Sequence, residues 1–318
     1  IIAGLEFGRA HGWSNRFRGG GRGAVFVSYV AGLAATSLLA GLATAPIAAF
    51  HFNRAPHYGL IANLAAVPAM GFWVAPSALV ATALAPFGLE GPALTAMGRG
   101  IEAILAVARF VAGLPGAVSP VPAGAPVVLT LIVFGGLALC LGRRALRLGG
   151  AALAAAGFAL WSLGDARPTL LVAPEASLVG LRGEDGRALD RKRGQGYAAR
   201  VWLQSDGDDA DQETASARDG LSVDGKTTVA RLGRERIFVD RSREPDAETL
   251  GIACADGGLL IVPGAATAPE GPCAFLGEEA LLKLGALAFE VGEAGLEMRS
   301  AAEEAGDRRW TRSAAGAR

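Results

Sequence analysis

The sequence predicts a polytopic α-helical membrane domain followed by a small α+β or β-rich soluble domain. Three observations carry this. Between Gly41 and Glu90, two long apolar stretches flank a short polar knot of His51, Asn53, Arg54 and His57. A bilayer core of roughly 30 Å asks for about 20 apolar residues per helical crossing, a length that a soluble core does not need. Of the 318 residues, 51% are hydrophobic and 19% charged, too apolar for an ordinary soluble protein of this size. The 30 basic and 30 acidic residues cancel overall but are unevenly placed. From Ala24 to Leu163 the acids are Glu90 and Glu102, whereas from Asp165 onward both signs are dense. The division falls between Gly164 and Pro168, giving a membrane domain over 1–164 and a soluble domain over 165–318. The chain opens on Ile1 with neither a Met nor a signal-peptide pattern, as expected of the C-terminal part of a longer protein.

Residues Glu6 to Gly23 are basic and glycine-rich, with Arg9, Arg16, Arg18 and Arg22. GGGRG lacks the lysine–hydroxyl ending of a phosphate loop. A flexible cytoplasmic loop is expected, because Arg-rich loops stay on that side. Ala24–Phe50 predicts the first membrane helix, kinked at Pro46, with Ser37 and Gly41 as a small-residue step for a neighbouring helix. Tyr58–Phe87 is apolar but carries Pro68, Pro76 and Pro86. A broken helix or re-entrant pair lining a cavity is therefore expected rather than one rod.

Leu94–Leu114 is helical by pattern and places Arg99, Glu102 and Arg109 on one face. Arg99 and Glu102 can pair one turn apart. That face suits either an amphipathic helix lying at the interface or the wall of an aqueous channel. Ser119–Pro126 is a stiff loop. Val127–Leu141 and Leu148–Leu163 read as two further membrane helices around Arg143, Arg144 and Arg147, a basic clamp that marks a cytoplasmic turn. Counting crossings then puts the soluble domain outside.

The soluble domain reads as strands at Thr169–Val172 and Ser177–Leu181, a turn at Asp185-Gly186, and a short helix or strand at Tyr197–Leu203. A hairpin pairs Thr227–Leu232 with Glu235–Asp240 around Gly233. A buried strand at Gly258–Val262, a helix at Glu278–Leu284 and alternating strands over Ala286–Arg299 follow. The tail after Ala305 is expected to fray.

The segments Thr44-Ala45-Pro46, Phe50-His51-Phe52-Asn53-Arg54 and Tyr58-Gly59-Leu60-Ile61-Ala62-Asn63-Leu64-Ala65-Ala66-Val67-Pro68 resemble the ComEC family of inner-membrane competence proteins. So do the helix bearing Arg99, Glu102 and Arg109 and its Leu114-Pro115-Gly116 stop. RPTLLVAP (Arg167 to Pro174) and WLQSDGD (Trp202 to Asp208) extend the likeness more weakly. The resemblance implies a channel in the bacterial inner membrane that passes single-stranded DNA into the cytoplasm during transformation. The partners it implies are the lipid bilayer, a periplasmic DNA receptor and a cytoplasmic helicase or DNA-binding protein, with homo-oligomerisation open. It also implies an OB-like domain upstream of Ile1 and a C-terminal domain of metallo-β-lactamase type, which here would be a degenerate remnant. The nuclease of that type needs an HxHxDH cluster and further histidines. The three histidines, His11, His51 and His57, all precede Asp165. No metal or cofactor is expected, and nuclease activity is not carried over.

The DNA-path candidates are His51, Asn53, Arg54, Asn63, Arg99, Glu102 and Arg109. His51 and Arg54 read either as snorkelling anchors or as the mouth of a conducting path, with Arg54 on phosphate. Asn63 reads either as an interhelical hydrogen bond or as pore lining. The acidic run Asp206, Asp208, Asp209, Asp211 and Glu213 lacks the central glycine of a calcium loop and reads as solvated. Arg191-Lys192-Arg193 suits a solvated turn or a phosphate contact, and Tyr197 and Trp202 offer rings for stacking bases. Cys254 and Cys273 would pair if their domain faces an oxidising periplasm; spacing alone leaves this open. No nucleophile–base grouping is visible, so no catalytic residue is named, and without an ATP motif the driving force must come from other proteins. Two other classes remain: a membrane-anchored phosphodiester hydrolase, against which the missing histidines argue, and a small-molecule transporter, for which nothing selects a solute.

Overall fold

The computed structural model describes residues 22–164, 167–292, 295–306 and 308. The basic stretch before Arg22, with Arg9, Arg16, Arg18 and His11, and the tail beyond Arg308 lie outside the described residues. The chain divides into two compact units, Ile1–Asp165 and Ala166–Arg318.

In the first unit, α1 (Arg22–Phe52) runs unbroken through Pro46. Strand β1 (Arg54–Pro56) leads into α2 (Gly59–Ala69), a π turn (Met70–Val74), α3 (Ala75–Leu84) and a final 3-10 turn (Ala85–Phe87). The expected break or re-entrant pair is not formed: residues 59–87 make one helical rod. Pro68 is carried inside α2, and the π turn leads into Pro76. The Ala75 N–H reaches back to the Met70 carbonyl, one residue further than in an α-helix. Pro76 follows in the first turn of α3, where a missing N–H costs little. Pro86 likewise opens the closing 3-10 turn.

Helix α4 (Gly91–Ala112) follows, then β2 (Val118–Pro120), α5 (Pro126–Leu141) and α6 (Ala145–Leu163). Among the described residues three helical runs are long and apolar enough to cross a bilayer: Phe26–Phe52, Gly59–Phe87 and Ala145–Leu163. Helix α5 is apolar but has 16 residues. The surface is dressed accordingly, with Phe72, Phe87, Phe110, Leu141 and Leu163 exposed.

The tightest helix contact is the α5–α6 hairpin, which is built on glycine. A Cβ on Gly135 would sit 2.5 Å from the Ala154 nitrogen, one on Gly150 2.7 Å from the Gly135 carbonyl, and one on Gly157 2.8 Å from Ile132 Cγ1. Small residues let backbones approach where lipid offers no hydrophobic drive. The close approach expected at Gly41 is not made, since a Cβ there would meet nothing within 4 Å.

The second unit is built on two five-stranded sheets. One has the order β12-β11-β3-β4-β5, antiparallel throughout. Its strands are β3 (Leu170–Val172), β4 (Val179–Gly183), β5 (Gly186–Leu189), β11 (Leu287–Gly292) and β12 (Gly295–Ser300). The other has the order β10-β9-β8-β7-β6. Its strands are β6 (Leu221–Asp224), β7 (Thr227–Leu232), β8 (Glu235–Asp240), β9 (Leu259–Ile261) and β10 (Ala274–Leu276), with β9 parallel to both neighbours. One face of each sheet meets the other in a common core that includes Leu170, Val179, Phe289, Ala230, Ile237 and Ile261. The opposite faces carry helices. Ala199 and Leu203 of α7 (Gly196–Asp206) and Ala215 of α8 (Gln212–Ser216) cover Leu178 and Leu189. Leu250, Ala253 and Cys254 of α9 (Ala247–Ala255) cover Phe238 and Leu260. The strand alternation had to match both layers, which is why the hairpin around Gly233 (φ +60°) was readable residue by residue. The segment Tyr197–Leu203, open between helix and strand, is helix.

Replacing Gly150 by Leu is expected to force α5 and α6 apart and to destabilise the unit by at least about 1–3 kcal/mol. Gly136→Leu, where a Cβ meets nothing within 4 Å, should leave it unchanged. Thermal unfolding in detergent reads both.

Candidate functional site

The polar knot is a clip that ties distant helix ends together. Strands β1 and β2 pair antiparallel, with Arg54 opposite Pro120, Ala55 opposite Ser119 and Pro56 opposite Val118. Asn53 adopts a left-handed backbone (φ +51°), a conformation its short amide side chain tolerates. Its carbonyl accepts the Val121 N–H at 2.9 Å, and its Nδ2 donates to the Val121 carbonyl at 3.2 Å. His57 Nε2 lies 2.7 Å from Ser119 Oγ, and the Tyr58 hydroxyl donates to the Pro115 carbonyl at 3.1 Å. Trp161, near the end of α6, donates its indole N–H to the Pro122 carbonyl at 2.9 Å and packs edge-on to Phe50. The ends of α1, α4 and α6 and the starts of α2 and α5 therefore meet at one place. His51 and Arg54 are exposed there, the former against the Phe50 ring.

The remaining candidates fall elsewhere. Asn63 is exposed one turn into α2 and makes no side-chain hydrogen bond among the described residues, so the expected interhelical bond is not formed. In α4, Ala93, Gly100 and Val111 are buried and share one face, while Glu102 and Arg109 are exposed on the opposite face and Arg99 is exposed on its flank. No ion pair joins Arg99 to Glu102 among the described residues. Helix α4 packs along α2, the π turn and α3, the whole of the rod. It is not a helix lying apart from the spanning elements. Gly100 fixes its depth: a Cβ there would come 2.8 Å from Val74 and 3.2 Å from the Trp73 ring. These two residues sit at the middle of 59–87, so Arg99 and Glu102 lie level with the middle of the rod, and Arg109 lies about one turn from the clip end.

Residues 10–146 match the model of the Competence protein family. This segment belongs to the ComEC family. No curated protein and no solved structure matches the chain. The ComEC segment contains the β1–β2 pair, the bonds of Asn53 and His57 and the charged stripe, whereas Trp161, the rest of α6 after Leu146 and the entire second unit lie beyond it.

Outside the ComEC segment, the charged sequence clusters of the second unit are largely committed to structure. Arg187 is fully buried and holds both carboxylate oxygens of Asp206, at 2.6 and 3.1 Å, together with the carbonyls of Gly180 and Pro168. Asp208 binds Arg218 at 2.5 Å. Burial pushes the Asp208 carboxyl up, but the bonds from Arg218 and the Ala210 N–H carry it below its ordinary value. Asp211 caps α8, and the Thr214 N–H holds its carboxyl low. Among the described residues no group of three or more His, Cys, Asp or Glu side chains is placed to hold a metal ion. Trp202 is packed over Gly180 in the layer beneath α7 and is not free to stack on bases, whereas Tyr197 is exposed. Cys254 and Cys273 are joined in a disulfide between α9 and the segment leading to β10.

Sequence reasoning missed Ser119, Val121 and Trp161 as partners of the knot. They lie far from it along the chain, and no local periodicity links them. It also missed the buried carboxylate of Asp190, which accepts from Thr228 Oγ1 at 3.2 Å and the Val179 N–H at 3.0 Å and pairs with Arg241. Burial lowers the affinity of the Arg241 guanidinium for its proton, Arg191 adds to the lowering, and Asp190 opposes both.

Asn53→Ala should loosen the clip by about 1–2 kcal/mol, because it loses the Val121 bond and leaves a Cβ residue with positive φ. Asn53→Gly should cost less. The expected order of thermal midpoints in detergent is wild type, Gly, Ala.

Proposed function

We propose that the chain forms part of a channel that imports single-stranded DNA across the bacterial inner membrane during transformation. The observation that carries this reading is the stripe of Arg99, Glu102 and Arg109. It sits on a helix that follows a membrane-length rod and points away from the helices that α4 packs on. Charges at mid-bilayer depth are costly against lipid and mark water-filled paths or protein partners. Arginines lining a hydrated path offset phosphate charge, and Glu102 keeps the strand from binding too tightly. His51 and Arg54 at the clip would form the mouth, with Asn63 one turn inside. The family match supports a role in competence. The absence of an ATP motif leaves the driving force to a cytoplasmic helicase or DNA-binding protein, and delivery to a periplasmic receptor.

The orientation follows from charge. Arg143, Arg144 and Arg147 between α5 and α6 belong on the cytoplasmic side. The clip, at the other end of both helices, then faces the periplasm, and the chain beyond α6 begins there. The Cys254–Cys273 disulfide supports an oxidising compartment for the second unit. Two facing sheets with helices on their outer faces suit a shortened relic of a metallo-β-lactamase-type domain. Because no histidine follows His57, we assign it no two-metal hydrolysis.

Deleting the chain should abolish internalisation of labelled DNA in a competent host that has no paralogue. Restoring it with Arg99→Glu/Arg109→Glu should leave surface-bound DNA normal and reduce internalised DNA by at least about tenfold. Normal internalisation in the deletion strain would sink the reading. A membrane-impermeant thiol reagent should label Cys273, the half-buried partner of the pair, from the periplasm only after reduction.

A further inference from the structure

The surface of the second unit carries an open pocket of about 430 Å³, lined among others by Arg191, Lys226, Arg241, Arg243, Ser177 and Glu175. Four cations thus face one carboxylate. Two more carboxylates stand behind the wall and are occupied: Asp190 pairs with Arg241, and Asp240 accepts the Ser242 N–H at 2.9 Å. On the open side the positive charge is unspent. Lys226 and Arg243 are exposed and make no ion pair among the described residues, and Arg191 Nε is buried without a hydrogen-bond partner, 3.8 Å from Asp190.

The cavity is assembled by a repeat in the sequence. The hairpins β4–β5 and β7–β8 place Val179 and Val229, Gly183 and Gly233, Asp190 and Asp240, Arg191 and Arg241, and Arg193 and Arg243 at one constant offset. Each hairpin therefore ends in Asp-Arg-x-Arg, one from each sheet; Arg191 of the first ending and Arg241 and Arg243 of the second line the cavity, whereas Arg193 lies outside it near Glu213. The surrounding loops are forced to fit. Glu175 and the buried Ala176 both have positive φ, of +54° and +51°, a strain that persists only when the surroundings over-determine it. A Cβ on Gly264 would overlap the Ser242 carbonyl.

We propose that this cavity binds a backbone phosphate of a nucleic-acid strand. Guanidinium forks match paired phosphate oxygens, and the volume lies in the range of small-ligand sites, room for one nucleotide unit rather than a folded domain. The buried carboxylates hold the net charge low, which suits a strand that must be released. That the phosphate is carried by a nucleic acid rests on the import reading above.

The test uses the full chain in phosphatidylcholine nanodiscs and a fluorescent single-stranded oligothymidine, titrated over a range of salt. Lys226→Ala/Arg243→Ala should weaken binding by about tenfold and lower the slope of log K against log salt by about 0.7, the contribution of the one single-strand phosphate that the cavity holds. Arg200→Ala/Arg231→Ala removes the same charge from exposed sites elsewhere in the unit and should bind as wild type does. Millimolar inorganic phosphate should displace the oligonucleotide from wild type. Equal affinity in the two double variants, or no displacement by phosphate, overturns the proposal. Arg241 is left intact because its pairing with Asp190 holds the wall. DNA uptake that persists in a deletion strain would remove the import reading without changing this binding measurement.

Discussion

Placing ionised groups beside a membrane-length rod is the constraint that organises the first unit. An apolar helix needs no fixed azimuth in lipid, but one carrying Arg99, Glu102 and Arg109 does, because only one of its faces can meet lipid or apolar neighbours at low cost. The azimuth is set by subtraction. Gly100 has no side chain, so α4 seats directly on Trp73 and Val74, and the buried line of Ala93, Gly100 and Val111 turns the charges outward. The clip then fixes height. Because β2 follows α4 and pairs with β1, the helix cannot slide along the rod without breaking the bonds of Asn53 and His57. Orientation and depth of the charged stripe thus have separate and identifiable causes.

The second unit handles charge differently. Its buried carboxylates Asp190 and Asp206 are held by arginines and by neighbouring donors, and such pairs specify geometry more than they add net stability. Arg187 ties β5 to the end of α7 through Asp206, and Arg241 ties the end of β8 to the end of β5 through Asp190. Both fix where strands stop. In the acidic run that resembles a cation loop in sequence, Asp206 holds Arg187, Asp208 holds Arg218 and Asp211 caps α8, whereas Asp209 and Glu213 are exposed.

Much of this was legible in the sequence, for reasons particular to each element. The spanning helices follow from uninterrupted apolar length, and the Gly233 hairpin and the Glu278–Leu284 helix from period and punctuation. Proline misled at 58–87, because a π turn absorbs the phase error that would otherwise break the rod. Small residues misled at Ser37 and Gly41, since composition marks where helices are able to approach and not which pair does. At the candidate site, His51, Asn53 and Arg54 were recognisable as polar groups out of place. Their partners at Ser119 and Val121 were not, because pairing across so long a separation leaves no periodic trace. The Asp-Arg-x-Arg endings were in principle visible as a repeat, yet their meaning depended on two sheets bringing them together.

The widened turn at Met70–Val74 has a consequence for how the rod is read from outside. One surplus residue in a helix advances everything after it by about 100° around the axis. Asn63 and the residues near the clip are therefore indexed to one angular frame, and Ala75 to Phe87 to another. An indel at this spot would act as a crankshaft, rotating Ala75 to Phe87 against the clip end of the rod while leaving composition and overall length almost untouched.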